Sequence, residues 1–102
     1  GDLDGDGDDD LVIASPVSTV NALFGAGEVH IILSNGSART FTFSETLTEP
    51  TPEGGAQFGF SVATGDFNAD GLDDIVITAP GATANGGAVS QGGQVFVFYS
   101  PR

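Results

Sequence analysis

The sequence contains no cysteine, no methionine and no tryptophan, and only 2 of its 102 residues are basic. The absence of cysteine excludes a disulfide scaffold, a thiolate zinc site and a cysteine nucleophile. The 14 acidic residues give a formal net charge of −12, which would repel nucleic acid and anionic membrane surfaces. No run approaches the roughly 18 apolar residues that a membrane-spanning helix needs. We therefore expect neither nucleic-acid binding nor membrane insertion.

The acidic residues are concentrated in two short clusters, at residues 2–10 and 66–74, and each cluster is followed directly by an apolar run. The two clusters superpose with a constant offset of 64 residues, and the match continues into the apolar runs. A further segment, 27–33, matches 93–99 after two additional loop residues. The chain therefore contains about one and a half copies of a repeating unit.

Short runs rich in Val, Ile, Phe and Thr alternate with turns that contain Gly, Pro and Asn, and no stretch has helical periodicity. This pattern predicts an all-β fold. Segments 28–33 and 94–99 carry apolar residues at both odd and even positions, so we expect both faces of their sheets to be covered. Segment 39–44 alternates Phe with Thr, which is typical of an outer strand with one wet face. The predicted strands are 10–14, 28–33, 39–44, 57–64, 74–79 and 94–99.

Four phenylalanines, distributed over the second half of the chain, are expected to form the core between successive sheets. They are Phe58, Phe60, Phe96 and Phe98.

Both acidic clusters form a nine-residue pattern with oxygen-bearing side chains at positions 1, 3, 5 and 9 and a glycine at position 6. Position 7 can add a backbone carbonyl. Calcium takes six to eight oxygen ligands, some of them from the backbone, and glycine permits the sharp turn. We therefore predict two Ca²⁺ sites. The predicted ligands are Asp2, Asp4, Asp6, Asp8 and Asp10 in the first cluster, and Asp66, Asn68, Asp70, Leu72 and Asp74 in the second, with Asp8 and Leu72 acting through their carbonyls.

Other readings of the clusters fit less well. An EF-hand needs an acidic residue at loop position 12, where this chain has Ile13 and Ile77 inside predicted strands. Magnesium prefers fewer protein ligands and several retained waters. Asp9 and Asp73, at position 8, are expected to point outward, either as solvated groups or as groups that support the ligands without binding the ion. The single histidine, His30, lies in the middle of a predicted strand and is expected to be structural rather than a general base.

The second unit resembles the FG-GAP repeats that build the β-propeller of integrin α subunits. The resemblance rests on Phe58-Gly59 before the 66–74 loop, on the apolar strand after it, and on a permuted Ala79-Pro80-Gly81. It implies a first FG-GAP-like repeat at 1–56, lacking its first strand and including a connector, and a second at 57–102, lacking its last strand. It also implies antiparallel four-stranded blades, calcium in the loop between the first two strands, and a non-enzymatic, extracellular role in adhesion or ligand display.

A propeller closes with about four to eight blades, so this chain is expected to be a fragment or an assembling unit rather than a closed ring. The expected partners are neighbouring repeats or copies of itself, through strand edges and blade faces, with a protein or glycan as a possible ligand. Two alternative functions remain open: a self-assembling subunit of an extracellular fibre or surface layer, and an accessory segment of a secreted enzyme. Asn35, in the triplet Asn35-Gly36-Ser37, is a candidate glycosylation site.

Overall fold

The structure, a computed structural model, describes residues 1–83 and 92–101. The described residues form two three-stranded antiparallel sheets, with strand orders β1-β2-β3 and β4-β5-β6. They contain no helix, and hence none long and apolar enough to cross a membrane. The prediction of an all-β fold is confirmed, and two unclosed sheets agree with a propeller fragment. The strands are β1 (Leu11–Ser15), β2 (Glu28–Asn35), β3 (Thr40–Leu47), β4 (Ser61–Gly65), β5 (Asp74–Ala79) and β6 (Gln94–Phe98).

The predicted strand at 57–64 is wrong at its start, because β4 begins only at Ser61. Residues 57–60 form a turn in which the amide of Phe60 donates to the carbonyl of Gln57 over 3.0 Å. Gln57 and Gly59 have φ of 59° and 94°, which are incompatible with an extended strand. The two left-handed turn residues, rather than the apolar side chains of this segment, therefore decide its conformation.

One hydrophobic core lies between the two sheets. The first sheet contributes Val29 and Ile31 from β2, and the second contributes Ile75 and Ile77 from β5. Phe58 precedes β4 and is completely buried in the same cluster. Because a single core joins both sheets, the two repeats pack face to face.

A backbone contact between the two repeats positions Phe58. The amide of Phe58 donates to the carbonyl of Ala26 over 2.9 Å, and the amide of Gln57 donates to the carbonyl of Gly25 over 2.9 Å. A Cβ placed on Gly27 would lie only 2.2 Å from the carbonyl oxygen of Phe58. Glycine is therefore required at this position for the two segments to approach each other.

The phenylalanine prediction is correct for three of its four residues. Phe58 is buried, and the rings of Phe96 and Phe98 meet its ring edge-on, with centroid separations of 5.5 and 6.1 Å. Phe60, in contrast, is mostly exposed. It lies at the end of the turn at 57–60, whose left-handed residues rotate its side chain away from the core.

Equivalent positions in β1 and β5 have opposite environments. Ile75 and Ile77 are fully buried, whereas their repeat counterparts Leu11 and Ile13 are each 45% exposed. In β2 and β6 the relation is reversed: Val29 is fully buried, and its counterpart Val95 is 65% exposed. Successive repeats therefore meet through opposite faces, a head-to-tail packing that leaves one face of each sheet open.

The open faces correct two expectations. Segments 28–33 and 94–99 were expected to be covered on both faces, but each sheet in this chain is covered by one neighbour only. Segment 39–44 was expected to have one wet face, but Phe41 and Phe43 of β3 are exposed along with the threonines between them. β3 is the outermost strand of the first sheet and extends beyond the core, so neither of its faces meets the second sheet there.

Candidate metal centres

The acidic loop at residues 2–10 precedes β1, and the loop at 66–74 connects β4 to β5. Gly7 and Gly71, the position-6 glycines, both have φ of 88°, as the sequence pattern predicts. Position 4 is also left-handed, with φ of 82° at Gly5 and 62° at Ala69. The two loops therefore share one backbone conformation, which repeats even where an alanine must adopt a disfavoured φ.

Each loop brings three carboxylates together. Ligand oxygens of Asp2, Asp4 and Asp10 all lie within 4.8 Å of one another. In the second loop the same is true of Asp66, Asp70 and Asp74. These six residues belong to the ten predicted as ligands.

The position-1 aspartates fold their own loops by accepting backbone hydrogen bonds. Asp2 accepts from the amides of Gly5 and Gly7 over 2.8 and 3.0 Å. Asp66 accepts from the amides of Asp70 and Gly71 over 3.1 and 2.8 Å. These bonds wrap the loop backbone around the first carboxylate. They thereby fix the direction in which the remaining acidic side chains point.

The position-9 aspartates are buried. Asp10 accepts hydrogen bonds from the amides of Leu3 and Ser34 over 2.8 and 2.9 Å. Asp74 accepts from the amides of Phe67 and Ser100 over 3.0 and 2.8 Å. Each carboxylate oxygen has a second lone pair, so these bonds orient the group and still allow it to bind a cation.

Two serines that the sequence analysis missed support this arrangement. Besides their amide contacts, the hydroxyl of Ser34 donates to the carbonyl of Asp9, and the hydroxyl of Ser100 donates to the carbonyl of Asp73 over 2.5 Å. Their offset of 66 residues matches the repeat offset of the strands β2 and β6. That identity at equivalent positions was the signal available in the sequence.

Asp6 is not among the carboxylates grouped in the first loop, and the other three predicted ligands, Asn68, Asp8 and Leu72, were expected to act through an amide oxygen or a carbonyl. Asp6 accepts from the amide of Asp8 over 2.9 Å, and Asn68 is exposed in its loop. The carboxylate of Asp8 accepts from the amide of Gly36 over 2.9 Å. Leu72 donates its amide to Asp70 over 2.9 Å. The roles of Asp6 and Asn68 as ligands, and of the Asp8 and Leu72 carbonyls, stay predictions.

Burial, backbone amides and neighbouring negative charges act together on the carboxylates of the first loop. Burial, together with the negative charges of Asp10 and Asp6, raises the pKa of Asp4, although the amide of Asp6 acts in the opposite direction. Burial also acts to raise the pKa of Asp2, but hydrogen bonds from the amides of Gly7 and Gly5 outweigh it and the pKa is lowered. Among residues 1–83 and 92–101, no basic side chain forms an ion pair with either carboxylate group. A hard cation with oxygen ligands suits this arrangement.

Asp73 supports the first loop rather than standing in solvent. Its carboxylate accepts a hydrogen bond from the amide of Asp2, and its own amide donates to the carbonyl of Asp2. The loops also touch where Gly5 meets Leu72, because a Cβ on Gly5 would lie 2.7 Å from Cδ2 of Leu72. Asp9, the counterpart of Asp73, is exposed as expected. The two candidate metal centres are therefore in direct contact through their loop backbones.

Two further residues considered from the sequence lie on the first sheet. His30 is half-buried; its Nδ1 is 3.0 Å from the hydroxyl of Thr46, and its Nε2 is 3.6 Å from Glu28. Asn35 is exposed at the end of β2, and its side-chain oxygen accepts from the amide of Ala38 over 3.0 Å. Glycosylation of Asn35 stays a prediction.

Comparisons with known proteins agree with this geometry. A family model described as "FG-GAP-like repeat" matches residues 2–77, and one described as "FG-GAP repeat" matches residues 58–98. The chain is 37% identical over 94 residues to a phosphatidylinositol-glycan-specific phospholipase D of Dictyostelium discoideum, an alignment that covers 80% of this chain and 10% of that protein. It is 33% identical over 89 residues to integrin alpha-PS5 of Drosophila melanogaster, with 86% and 8% covered.

Integrin alpha-IIb of Homo sapiens is 35% identical over 83 residues, covering 80% of this chain and 8% of that protein. The chain thus spans a tenth or less of the length of these curated relatives.

Proposed function

The chain belongs to the FG-GAP repeat family, and from this membership we propose that it is a calcium-binding, non-enzymatic, extracellular repeat module with a structural or adhesive role. The observation that carries the proposal is the pair of equivalent loops, each with three carboxylate oxygens within 4.8 Å of one another. Three carboxylates at this separation repel one another unless they are protonated or bound to a cation. The extracellular location rests on the family resemblance alone.

In this proposal the ions act on stability. Asp2, Asp4 and Asp10 would hold one Ca²⁺, and Asp66, Asp70 and Asp74 the other, with Asp6, Asn68 and the carbonyls of Asp8 and Leu72 completing the shells. The folded loops gather these oxygens, whereas the unfolded chain disperses them. Because Ca²⁺ would bind only the folded state, it would raise the free energy of unfolding by mass action. The ions would thereby fix the start of β1 and β5 and hold the blades in register.

A thermal melt with and without chelator tests the proposal. The wild-type chain should melt at a higher temperature in Ca²⁺ than in EDTA, and an Asp10→Asn, Asp74→Asn variant should lose most of that difference. These substitutions remove one charge from each group. The readout is the difference between Ca²⁺ and EDTA, because the asparagine Nδ2 would face a backbone amide even without metal. A Glu28→Gln variant, which changes a half-buried glutamate outside both loops, should keep the full difference. An equal melt in Ca²⁺ and EDTA for the wild type would contradict calcium binding.

The open faces support a further part of the proposal, that other FG-GAP-like units cover them. The exposed positions Leu11 and Ile13 correspond to the buried Ile75 and Ile77, and the exposed Val95 corresponds to the buried Val29. The chain's two open faces therefore match the two faces that already meet in its own core. A second unit can repeat this head-to-tail contact without any new kind of interface.

Such packing can be tested by sedimentation velocity over a range of chain concentrations. The wild type should associate as concentration rises, and Ile13→Asp should weaken association, because it places a charge on the open face. Thr42→Asp is the control, because Thr42 is exposed on the same sheet and is paired with Leu33 on the opposite face. A wild type that stays monomeric at every concentration would contradict assembly by copies of this chain, and with it the alternative of a self-assembling fibre or surface-layer subunit.

The match to a phosphatidylinositol-glycan-specific phospholipase D favours a second candidate function, an accessory segment of a secreted enzyme. In that case the module would contribute stability or binding, and catalysis would belong to other parts of a longer protein. The two candidates differ in what precedes or follows this segment in the complete gene. An adjoining hydrolase domain would favour the accessory role, and further FG-GAP repeats alone would favour the adhesive one.

A further inference from the structure

The connector between β3 and β4 carries two glutamates beside the start of β6. Together with β6 it lines an open cavity of about 200 Å³, which we call the connector cavity. This cavity lies outside both acidic loops. Its lining residues are Glu49, Pro50, Thr51, Glu53, Gln94 and Phe96.

Glu49 is a buried carboxylate with an unsatisfied oxygen. The residue is only 4% exposed, and among the described residues its Oε1 has no hydrogen-bond partner. Buried polar atoms almost always have a partner, and an ionised carboxylate without one is costly. A proton, a water molecule or a ligand would compensate this oxygen.

Glu53 is held in place at the other side of the cavity. Its carboxylate accepts from the amide of Thr83 over 3.2 Å and from the hydroxyl of Thr83 over 3.2 Å. The amide nitrogen of Gln94 donates to the carbonyl of Thr83. This bond fixes the orientation of the Gln94 side chain, whose amide oxygen is its one acceptor for a cation. Thr83 thus fixes both an acidic and an amide side chain.

The charges in the cavity favour a cation. Burial, together with the negative charge of Glu53, raises the pKa of Glu49, and the amide of Glu53 offsets part of this effect. The chain carries two basic residues in all, and the arginine in the described part, Arg39, lines a different cavity. Within residues 1–83 and 92–101, no basic side chain therefore supplies the positive charge that this pair lacks.

We propose that the connector cavity binds a hard divalent cation such as Ca²⁺, with Glu49 and Glu53 as carboxylate ligands and the amide oxygen of Gln94 as a third donor. The donors are all oxygen, which selects a hard cation over a thiolate- or imidazole-seeking metal. The cavity is larger than a bare ion, so the ion keeps water molecules in the remaining positions. The site would join the connector to β6 and thereby tie one repeat to the next.

The proposal is independent of the two loop sites, and the experiment keeps them apart. Calcium equivalents bound to the purified chain are counted by isothermal titration, with Tb³⁺ luminescence as a second readout. A Glu49→Gln, Glu53→Gln variant should bind one equivalent fewer than the wild type. Glu28→Gln, which removes a glutamate outside the cavity, should bind as many as the wild type. Asp66→Asn with Asp70→Asn should also lose one equivalent, but at the second loop.

Two results would overturn the proposal. One is a Glu49→Gln, Glu53→Gln variant that is folded by circular dichroism and binds the same number of equivalents as the wild type. The other is a Glu49→Gln variant that melts higher in EDTA but gains as much from Ca²⁺ as the wild type does, because a merely protonated Glu49 would behave so. If the Glu49→Gln, Glu53→Gln variant does not fold, Glu53→Asp replaces it. This variant should lower the calcium affinity of the connector cavity and leave that of the two loops unchanged. Retention of the loop equivalents when the cavity fails would leave the proposed function standing.

Discussion

The amide of Asp2 donates a hydrogen bond to Oδ2 of Asp73 over 3.1 Å, and the amide of Asp73 donates in return to the carbonyl oxygen of Asp2 over 3.0 Å. This reciprocal pair joins two loops that are 64 residues apart in sequence and belong to different sheets. It fixes the first aspartate of one candidate metal centre against the residue that precedes the buried aspartate of the other. Order in one loop is therefore passed to the other through two hydrogen bonds, one to a side chain and one to the backbone.

Removing the Asp73 side chain should separate the loops. Asp73→Ala deletes one of the two hydrogen bonds, and we expect a loss of about 1 kcal/mol in the free energy of unfolding. Urea denaturation in EDTA measures this without the contribution of bound ions. The matched control is Asp9→Ala, at the equivalent and exposed position of the first loop, which should change stability by less than about 0.5 kcal/mol. Equal effects of the two substitutions would contradict the bridging role of Asp73.

The hydroxyl of Ser100 should affect both stability and calcium binding, because it helps to hold the buried Asp74 in place. Ser100→Ala removes the hydroxyl that donates to the carbonyl of Asp73 and leaves the amide bond to Asp74 intact. We expect a loss of about 1 kcal/mol in stability and weaker calcium binding, because Asp74 is held less firmly. Urea denaturation and calcium titration are the measurements. Ser37→Ala, in an exposed turn, is the control; an identical calcium affinity in both variants would show that Ser100 does not position the ligand.

The two phenylalanines of the Phe58-Gly59-Phe60 segment should contribute very differently to the free energy of unfolding. Phe58 is completely buried between the sheets and Phe60 is mostly exposed. Phe58→Ala should cost about 3–5 kcal/mol, the usual range for removing a buried aromatic ring. Phe60→Ala should stay within about 1 kcal/mol of the wild type in the isolated chain. Comparable losses, measured by denaturant unfolding, would mean that Phe60 also packs in the core.

Glu49 should make stability fall with rising pH when no metal is present. Burial raises its pKa above its ordinary value of 4.5, so the folded state binds more protons than the unfolded state between the two values. Stability is then greatest below the unfolded pKa and decreases as pH rises through the folded one. In EDTA, Glu49→Gln should be more stable than the wild type near neutral pH, and the difference should shrink on acidification. Urea unfolding across this range checks it, with Glu28→Gln as control.

The repeat offset and the turn chemistry made much of this structure predictable. The alternation of aspartate with glycine in residues 2–10 and 66–74 specifies loops directly before β-strands, and both position-6 glycines adopt the expected left-handed φ. The position-9 aspartates, Asp10 and Asp74, are buried at strand starts as the pattern requires. These features are local, so they can be read from neighbouring residues.

The features that could not be predicted depend on contacts between distant segments. The head-to-tail packing of the two sheets decides which face of each strand is buried. A strand that is apolar at both odd and even positions does not show which face that is. Phe60 is exposed because of left-handed residues at Gln57 and Gly59, a conformation that only the contact with residues 24–26 selects. The bridging role of Asp73 and the support from Ser34 and Ser100 likewise require the loops and strands to be assembled.

The most direct test of the central claim is anomalous diffraction from crystals of the chain grown in Ca²⁺. We expect one anomalous peak in each acidic loop, with the oxygens of Asp2, Asp4 and Asp10 around the first and those of Asp66, Asp70 and Asp74 around the second, at about 2.3–2.6 Å. Loops without a peak, with carboxylates turned apart into solvent, would contradict calcium binding and the function built on it.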